Sequence, residues 1–114
     1  FEPFHELTPD KAFERTWART TLDTVLLRVQ QDYAAEGKGE LYGTLQIYLS
    51  GDKGAAPYAE VAAQLGLTES AVKMAVLRLR RRFGESLRQE IAQTVAESNE
   101  IDEEIRCLFA AVSG

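Results

Sequence analysis

The sequence predicts an all-α fold of about five helices. Apolar residues recur at spacings of three and four along most of the chain, which is the period of an amphipathic helix. Glycine, proline and polar segments interrupt this pattern, and no segment alternates apolar and polar residues as a strand does. The 114 residues are enough for one hydrophobic core. We therefore expect one helical domain, or part of one, without the strands of a winged element.

A long first helix is predicted to begin at Pro9. Thr8 can cap its start, Pro9 lacks an N–H that would stay unpaired there, and Asp10 lies near the positive end of the helix dipole. The apolar stripe of this helix comprises Phe13, Trp17, Leu22, Val25, Leu26, Val29 and Tyr33. The pattern reaches about Ala35, and Gly37 and Gly39 end it. Residues 1–8 are expected to be a disordered or linking segment.

A short second helix and a turn are predicted next. The apolar stripe of the second helix comprises Leu41, Tyr42, Leu45, Tyr48 and Leu49. Ser50 and the glycine-containing segment 51–54 then indicate a turn, because the spacing of a phosphate-binding loop is missing. Residues 9–56 are thus interpreted as lead-in helices to a motif that Pro57 opens.

The segment from Tyr58 to Phe83 has the pattern of a helix-turn-helix. Ala62 is small enough for two helices to cross at that point, and Gly66 can adopt the positive φ of a tight turn. Thr68 can then cap the second helix. The residues expected on the inward side are Val61, Leu65, Leu67, Val72, Val76 and Leu79. The alternative is an ordinary pair of helices in a bundle, which also uses glycine and a capping threonine.

The second helix of this motif is predicted to continue past Phe83. Its apolar stripe extends through Leu87, Ile91 and Val95. Gly84 is the weak point, because glycine is less stable than alanine in a helix interior, so it is the position where a kink or a break can occur. We expect the helix to reach about Ala96, and we assign residues 57–97 to the helix-turn-helix with its extended second helix.

Residues 98–114 are predicted to form a C-terminal amphipathic helix. Ser98 and Asn99 can cap its start, and the acidic residues that follow favour its N-terminal turn. Its apolar face comprises Ile101, Ile105, Leu108, Phe109 and Val112. Cys107 is expected to be a small apolar residue packed in the core or in an interface.

The composition excludes several classes of function. Cys107 is the only cysteine and His5 the only histidine, so no intramolecular disulfide, Cys/His zinc site or histidine-activated nucleophile can be built. We expect no metal, no cofactor and no enzymatic activity. No apolar run reaches the roughly 20 residues of a bilayer span, and the N-terminus lacks the regions of a signal peptide. The expected protein is cytoplasmic, has no membrane partner, and continues beyond Phe1 on the N-terminal side.

Charge is distributed unevenly along the chain. The net charge is −5, yet residues 69–88 hold six basic and two acidic residues, which leaves a charge of −9 on the remainder. A basic helix on an acidic body can still approach phosphates, because screening limits the acidic field to roughly 8 Å at physiological salt. We expect weak DNA affinity for the isolated chain.

Helical geometry predicts which side chains of the basic helix face a DNA major groove. The outward side is expected to hold Ser70, Lys73, Met74, Leu77 and Arg81, with Arg78, Arg80 and Arg82 towards the flanks. Ser70 and Lys73 are placed to contact bases or nearby phosphates, and the arginines to contact backbone phosphates. Met74 and Leu77 fit either thymine methyl groups or a protein interface. The alternative for the arginine run is a solvated helix face without a ligand.

The segment from Tyr58 to Leu87 resembles region 4 of bacterial RNA polymerase sigma factors of the extracytoplasmic-function (ECF) type. The resemblance lies in the pattern Y-x-E-[IV]-A-x-x-L-G-[IL]-[ST]-E-x-x-V-K and its arginine-rich continuation. It implies recognition of the promoter −35 element in double-stranded DNA and docking on the β flap of the polymerase core. The positions that match DNA-approaching positions of the family are Thr68, Glu69, Ser70, Lys73, Arg78 and Arg81. Met74, Ala75 and Leu77 depart from the family pattern, which implies an altered promoter preference.

Two functions are compatible with these patterns. The first is a sigma-factor region 4 module that acts in transcription initiation by binding alone. The second is a helix-turn-helix protein-interaction or dimerisation module of a transcription regulator, which would pair through Met74, Leu77 and the last helix with a subunit, an anti-sigma factor or itself.

Overall fold

The computed structural model describes residues 9–50, 54–95 and 97–113, which form five α-helices. Their bounds are α1 Pro9–Ala35, α2 Gly39–Leu45, α3 Tyr58–Leu65, α4 Glu69–Ala92 and α5 Ile101–Ser113. One 3-10 turn, Gln46–Leu49, follows α2, and another, Ser98–Glu100, precedes α5. The described residues contain no strand, so the predicted all-α fold is confirmed. None of these helices combines the length and the apolar composition that a membrane crossing requires.

The end of α1 lies where the glycine predicted it. Gly37 has a φ of 76°, which a residue with a Cβ rarely adopts. The N–H of Lys38 donates to the carbonyl of Tyr33 at 2.7 Å, and the N–H of Gly37 donates to that of Ala34 at 3.1 Å. This pair of bonds is a Schellman motif, which satisfies carbonyls that the helix end leaves unpaired. At the other end α1 begins at Pro9, as predicted, while its expected cap Thr8 lies outside the described residues.

The chain divides into two compact units, and each unit contains residues from more than one of the predicted segments. Residues 27–85 form the central unit, and the described residues of 9–26 and 86–113 form the terminal unit. The central unit buries Val29, Tyr33, Tyr42, Leu45, Tyr48, Val61, Ala62, Val72, Ala75, Val76 and Leu79. The terminal unit buries Ala18, Val25, Leu87, Ile91, Ile101 and Leu108.

Aromatic contacts order the central unit. The rings of Tyr33 and Tyr42 lie 5.8 Å apart, and those of Tyr48 and Tyr58 meet edge to face at 5.2 Å. Tyr48 also donates its hydroxyl proton to the carbonyl of Ala56. These contacts link the end of α1 to α2, and the 3-10 turn after α2 to the start of α3. The segment 51–53, part of the predicted turn, lies outside the described residues.

The structure corrects two predicted boundaries. α4 continues through Gly84 without a break and ends at Ala92, four residues before the predicted end; Ala96 itself lies outside the described residues. The last helix is not capped by Ser98 or Asn99. Instead, the N–H of Glu97 donates to the carboxylate of Glu100 at 2.9 Å. The 3-10 turn Ser98–Glu100, which precedes α5, brings this carboxylate close to that N–H.

Four residues predicted to pack inside are exposed. Phe13 is 73% exposed, Leu67 43% and Phe109 42%, and Cys107 is exposed as well. Leu67 lies in the connection after Gly66, where helical periodicity no longer applies. Cys107 and Phe109 each lie one residue, or about 100° around α5, from buried Leu108, so they border the stripe that α5 buries. Phe13 lines a cleft in the terminal unit.

Candidate nucleic-acid interface

The connection between α3 and α4 is fixed by backbone geometry. Gly66 has a φ of 70°, and its N–H donates to the carbonyl of Ala62, as does the N–H of Leu67 at 2.9 Å. Only glycine adopts this left-handed conformation without strain. Thr68 then accepts a hydrogen bond on its side-chain Oγ1 from the N–H of Ala71 at 3.1 Å, so the predicted cap of α4 is confirmed.

One side of α4 is buried in the central unit. Val72, Val76 and Leu79 have no exposed surface, and Ala75 is 9% exposed. The predicted inward positions of α4 are therefore confirmed. On α3, Val61 and Ala62 are buried as well, while Leu65 is half-buried.

The opposite side of α4 is exposed over three turns. It holds Ser70, Lys73, Met74, Leu77, Arg78 and Arg81, and Thr68 and Glu69 are exposed at the start of the helix. Met74 is 48% and Leu77 41% exposed. We call Ser70, Lys73, Met74, Leu77, Arg78 and Arg81 the outer face of α4. The predicted orientation of these side chains is confirmed, while their contact with DNA stays a prediction.

Arg80 has a partner inside the protein. Its guanidinium donates two hydrogen bonds to the carbonyl of Tyr48, from Nε at 3.3 Å and from Nη2 at 3.1 Å. That carbonyl belongs to the last turn before residue 50, where a helix leaves its carbonyl groups unpaired. Arg80 therefore joins α4 to the 3-10 turn that follows α2.

Arg82 has partners on the last turns of α1. Its Nη1 lies 2.7 Å from the carboxylate of Glu36, and its guanidinium carbon lies 5.1 Å from the centre of the Tyr33 ring. The hydrogen bond from Arg82 lowers the pKa of the Glu36 carboxyl, and burial raises the pKa of the Tyr33 hydroxyl. Because these contacts occupy the guanidinium groups of Arg82 and of Arg80, we leave both residues out of the candidate interface.

The sequence contains a spacing that predicts the inward position of the Arg82 side chain. Arg82 follows Ala75 by seven residues and Leu79 by three, so helical geometry places it beside the buried stripe. Ser86 continues the same stripe and is 6% exposed. The prediction overlooked this periodicity because it grouped adjacent arginines by charge.

Three cations remain available on α4. Within residues 9–50, 54–95 and 97–113, the side chains of Lys73, Arg78 and Arg81 take part in no hydrogen bond or ion pair. Successive residues of a helix are rotated by about 100°, which places Lys73 and Arg78 at opposite edges of the outer face. Viewed along the helix axis, Arg81 points between Lys73 and Arg78. It lies about two turns after Met74. The arrangement can contact phosphates on both sides of a groove.

The terminal unit contains a concave surface. A cleft of about 580 Å³ is lined by Lys11, Phe13, Glu14, Arg15, Trp17, Glu104, Cys107, Ala110 and Ala111. The sequence pattern did not predict it, because Phe13 and Cys107 were assigned to packed surfaces. The described residues include no cluster of three His, Cys, Asp or Glu side chains that could hold a metal ion.

Comparison with known proteins found no match: no family model, no curated protein and no solved structure matches this chain. The resemblance to sigma region 4 therefore stays a prediction that depends on the residues of α3, the Gly66 turn and α4.

Proposed function

We propose that the chain is a double-stranded DNA-binding module of the sigma region 4 type, which holds a promoter −35 element during transcription initiation. The observation that supports this function best is the outer face of α4. Lys73, Arg78 and Arg81 are exposed and take part in no hydrogen bond or ion pair within the described part of the chain, while Val72, Val76 and Leu79 on the other side of the same helix are buried. A rigid helix with free cations on one face fits a major groove.

Each group on the outer face has a role in this binding. Lys73 and Arg78, at the two edges of the face, neutralise phosphates on opposite sides of the groove. Ser70 lies in the first turn of α4, where a hydroxyl can donate to a base or a phosphate. Thr68 holds the N-terminal turn of α4, which supports its approach to the negatively charged duplex. Glu69 in the same turn can accept from a cytosine amino group.

Binding to DNA alone is weak, and a second partner completes the function. The net charge of −5 opposes the approach of the whole chain to a polyanion, so three cations give limited affinity. Docking on the β flap of RNA polymerase core would hold the module at the promoter and raise its effective concentration. This role places the protein in the cytoplasm, with an anti-sigma factor as a further partner.

A charge-matched comparison tests the DNA-binding surface. Fluorescence anisotropy with a labelled mixed-sequence duplex would be measured over a range of salt concentrations for the wild type, Arg78→Gln and Arg81→Gln. Each variant should bind less tightly, and the salt dependence of log K should become shallower by about 0.9 per lost phosphate contact. Arg19→Gln, on an exposed position of α1, removes the same charge away from α4 and should leave the salt dependence unchanged.

Two outcomes would contradict the proposal. Equal effects of Arg19→Gln and Arg81→Gln would mean that only the overall charge matters. A wild-type chain that binds no duplex at low salt would exclude DNA binding by this module. Circular dichroism of each variant would establish that the helices are retained, so that a loss of affinity is assigned to the side chain.

A second function is favoured by the exposed apolar residues of α4. Met74 and Leu77 are each more than two fifths exposed, and such residues are common in protein interfaces. A helix-turn-helix protein-interaction or dimerisation module would bury them against a second chain. Sedimentation velocity over a range of concentrations tests this function: self-association that Met74→Ala and Leu77→Ala abolish would support it, and a monomer at every concentration would exclude dimerisation.

A further inference from the structure

We infer that Met74 and Leu77 make α4 selective for thymine, by contacting the C5-methyl groups of two nearby thymines in the major groove. This inference rests on the proposed DNA binding and specifies what the outer face recognises. It goes beyond phosphate binding, which gives affinity without sequence preference.

The selectivity depends on where the two side chains lie within the outer face. With about 100° per residue, Met74 and Leu77 differ in direction by about 60° and lie between Lys73 at one edge and Arg78 at the other. When the edge cations contact phosphates on the two sides of a groove, the centre of the face points at the groove floor. The groove floor presents base edges, so the partners of Met74 and Leu77 are bases.

Chemistry then selects among the bases. In the major groove, guanine, adenine and cytosine present hydrogen-bonding groups, and only thymine presents an apolar group, its C5-methyl. A methionine or a leucine over a polar base edge would remove water from that edge without replacing its hydrogen bonds, which is unfavourable. Contact with a methyl group removes apolar surface from water on both partners, which is favourable.

The distance between the two residues limits where the thymines lie. Three residues of α-helix rise about 4.5 Å, and successive base pairs are about 3.4 Å apart. Met74 and Leu77 can therefore contact methyl groups on adjacent base pairs or on base pairs one step further apart.

Removal of single methyl groups from DNA tests the inference. Duplexes bound by the full chain would be selected from a random-sequence pool, and each thymine of the best site would then be replaced in turn by uracil, which lacks only the methyl group. We expect two closely spaced thymines at which uracil weakens binding about fourfold, the effect of one buried methyl-sized group. At the other thymines the replacement should have no effect.

Protein variants assign the two methyl groups. Met74→Ala should abolish the uracil effect at one thymine, and Leu77→Ala should abolish it at the other. Leu67→Ala is the matched control, because Leu67 is a leucine of similar exposure, 43%, that lies outside α4. It should leave both uracil effects intact.

The possible failures are distinguishable. Tight duplex binding that is unaffected by uracil at every thymine would overturn the thymine selectivity and leave the proposed DNA binding in place. Uracil effects that persist in both Met74→Ala and Leu77→Ala would also overturn it, because other residues would then contact the methyl groups. Failure to select any duplex would overturn the proposed function, and with it this inference.

Discussion

The central and terminal units of this chain differ in the pairing of their most buried polar side chains. In the central unit, the buried hydroxyl of Tyr48 has a carbonyl partner, and Arg80 and Arg82 have partners on neighbouring elements. In the terminal unit, the hydroxyl of Ser86 is buried and no partner for it lies in the described part of the chain. Exposed apolar residues differ as well: Met74 and Leu77 lie on a helix face whose only charged residues are cations, whereas Phe13 lines a cleft that holds both cations and the acids Glu14 and Glu104.

This difference indicates which of the two units holds an exposed helix face in a fixed orientation. Specific hydrogen bonds at the ends of α1, α2 and α3 hold the first half of α4 in one orientation, which a binding face requires. Exposed ion pairs contribute little to stability, and this holds for Arg82 with Glu36 in the central unit as for Arg88 with Asp102 and Arg106 with Glu103 in the terminal unit. The contact that distinguishes the central unit is the part-buried pair of hydrogen bonds from Arg80 to the carbonyl of Tyr48. Our proposal for the function therefore concerns the central unit.

The largest expected effect is a difference in the free energy of unfolding between substitutions on the two sides of α4. Leu79 has no exposed surface and Leu77 is 41% exposed, although only Arg78 lies between them. Leu79→Ala should lower the free energy of unfolding by about 2–5 kcal/mol, because it removes buried methyl groups and leaves a cavity. Leu77→Ala, the matched control, should change it by less than about 0.5 kcal/mol. Urea unfolding followed by circular dichroism measures both values.

The assignment of an exposed outer face to α4 would fail if the two leucine variants lost equal stability. Equal losses would mean that Leu77 is covered in solution, for example by a second copy of the chain. In that case the stability of Leu77→Ala relative to the wild type would depend on protein concentration, and the outer face of α4 would not be available to DNA.

The regular part of this fold was predictable because local chemistry determines it. Gly37 and Gly66 both have positive φ, and the turns they form end α1 and α3 where the sequence placed them. Thr68 caps α4 as predicted. The predicted continuation of α4 past Phe83 is confirmed, because the cost of Gly84, about 1 kcal/mol, is small beside the apolar burial on both sides of it.

The candidate site was only partly predictable, because side-chain partners depend on tertiary contacts. Helical periodicity correctly placed Ser70, Lys73, Met74, Leu77 and Arg81 on the outer face, while it placed Arg78 towards a flank. It could not show that Arg80 binds the carbonyl of Tyr48, 32 residues away in sequence, or that Arg82 pairs with Glu36 across 46 residues. Five of the six basic residues of this helix lie within the span that the motif covers, yet only three have no partner among the described residues.

A smaller effect is expected at Ser86 in the terminal unit. Its hydroxyl oxygen is buried without a hydrogen-bond partner in the described part of the chain, so it loses water and gains nothing in return. Ser86→Ala should raise the free energy of unfolding by about 1 kcal/mol. Thermal unfolding should show a rise in Tm of roughly 4–8 °C for a domain of this size.

Ser70→Ala is the control for this substitution. Ser70 is an exposed serine of the same helix, so its replacement adds only the better helix propensity of alanine, a few tenths of a kcal/mol. A loss of stability in Ser86→Ala would mean that the hydroxyl has a partner in solution. The two units would then satisfy their buried polar groups equally well, which would remove the contrast between them.

The smallest effect concerns the ion pair of the central unit and its dependence on pH. The hydrogen bond from Arg82 lowers the pKa of the Glu36 carboxyl below its ordinary value of 4.5. A lowered folded-state pKa means that the unfolded chain takes up the proton first, so this stabilisation is complete above pH 4.5 and is lost as the pH falls through the folded-state pKa. Glu36→Gln should therefore lower stability at neutral pH and flatten the acid side of the stability curve.

Glu40 of α2 provides the matched control, because its carboxylate is exposed and makes no ion pair among the described residues. Urea midpoints measured from neutral pH down to well below pH 4.5 should converge for the wild type and Glu36→Gln at the acid end, while Glu40→Gln follows the wild type throughout. Parallel curves for all three proteins would mean that Arg82 spends little time on Glu36 in solution. Arg82 would then be a fourth available cation of α4, and Arg82→Gln would weaken DNA binding as Arg81→Gln does.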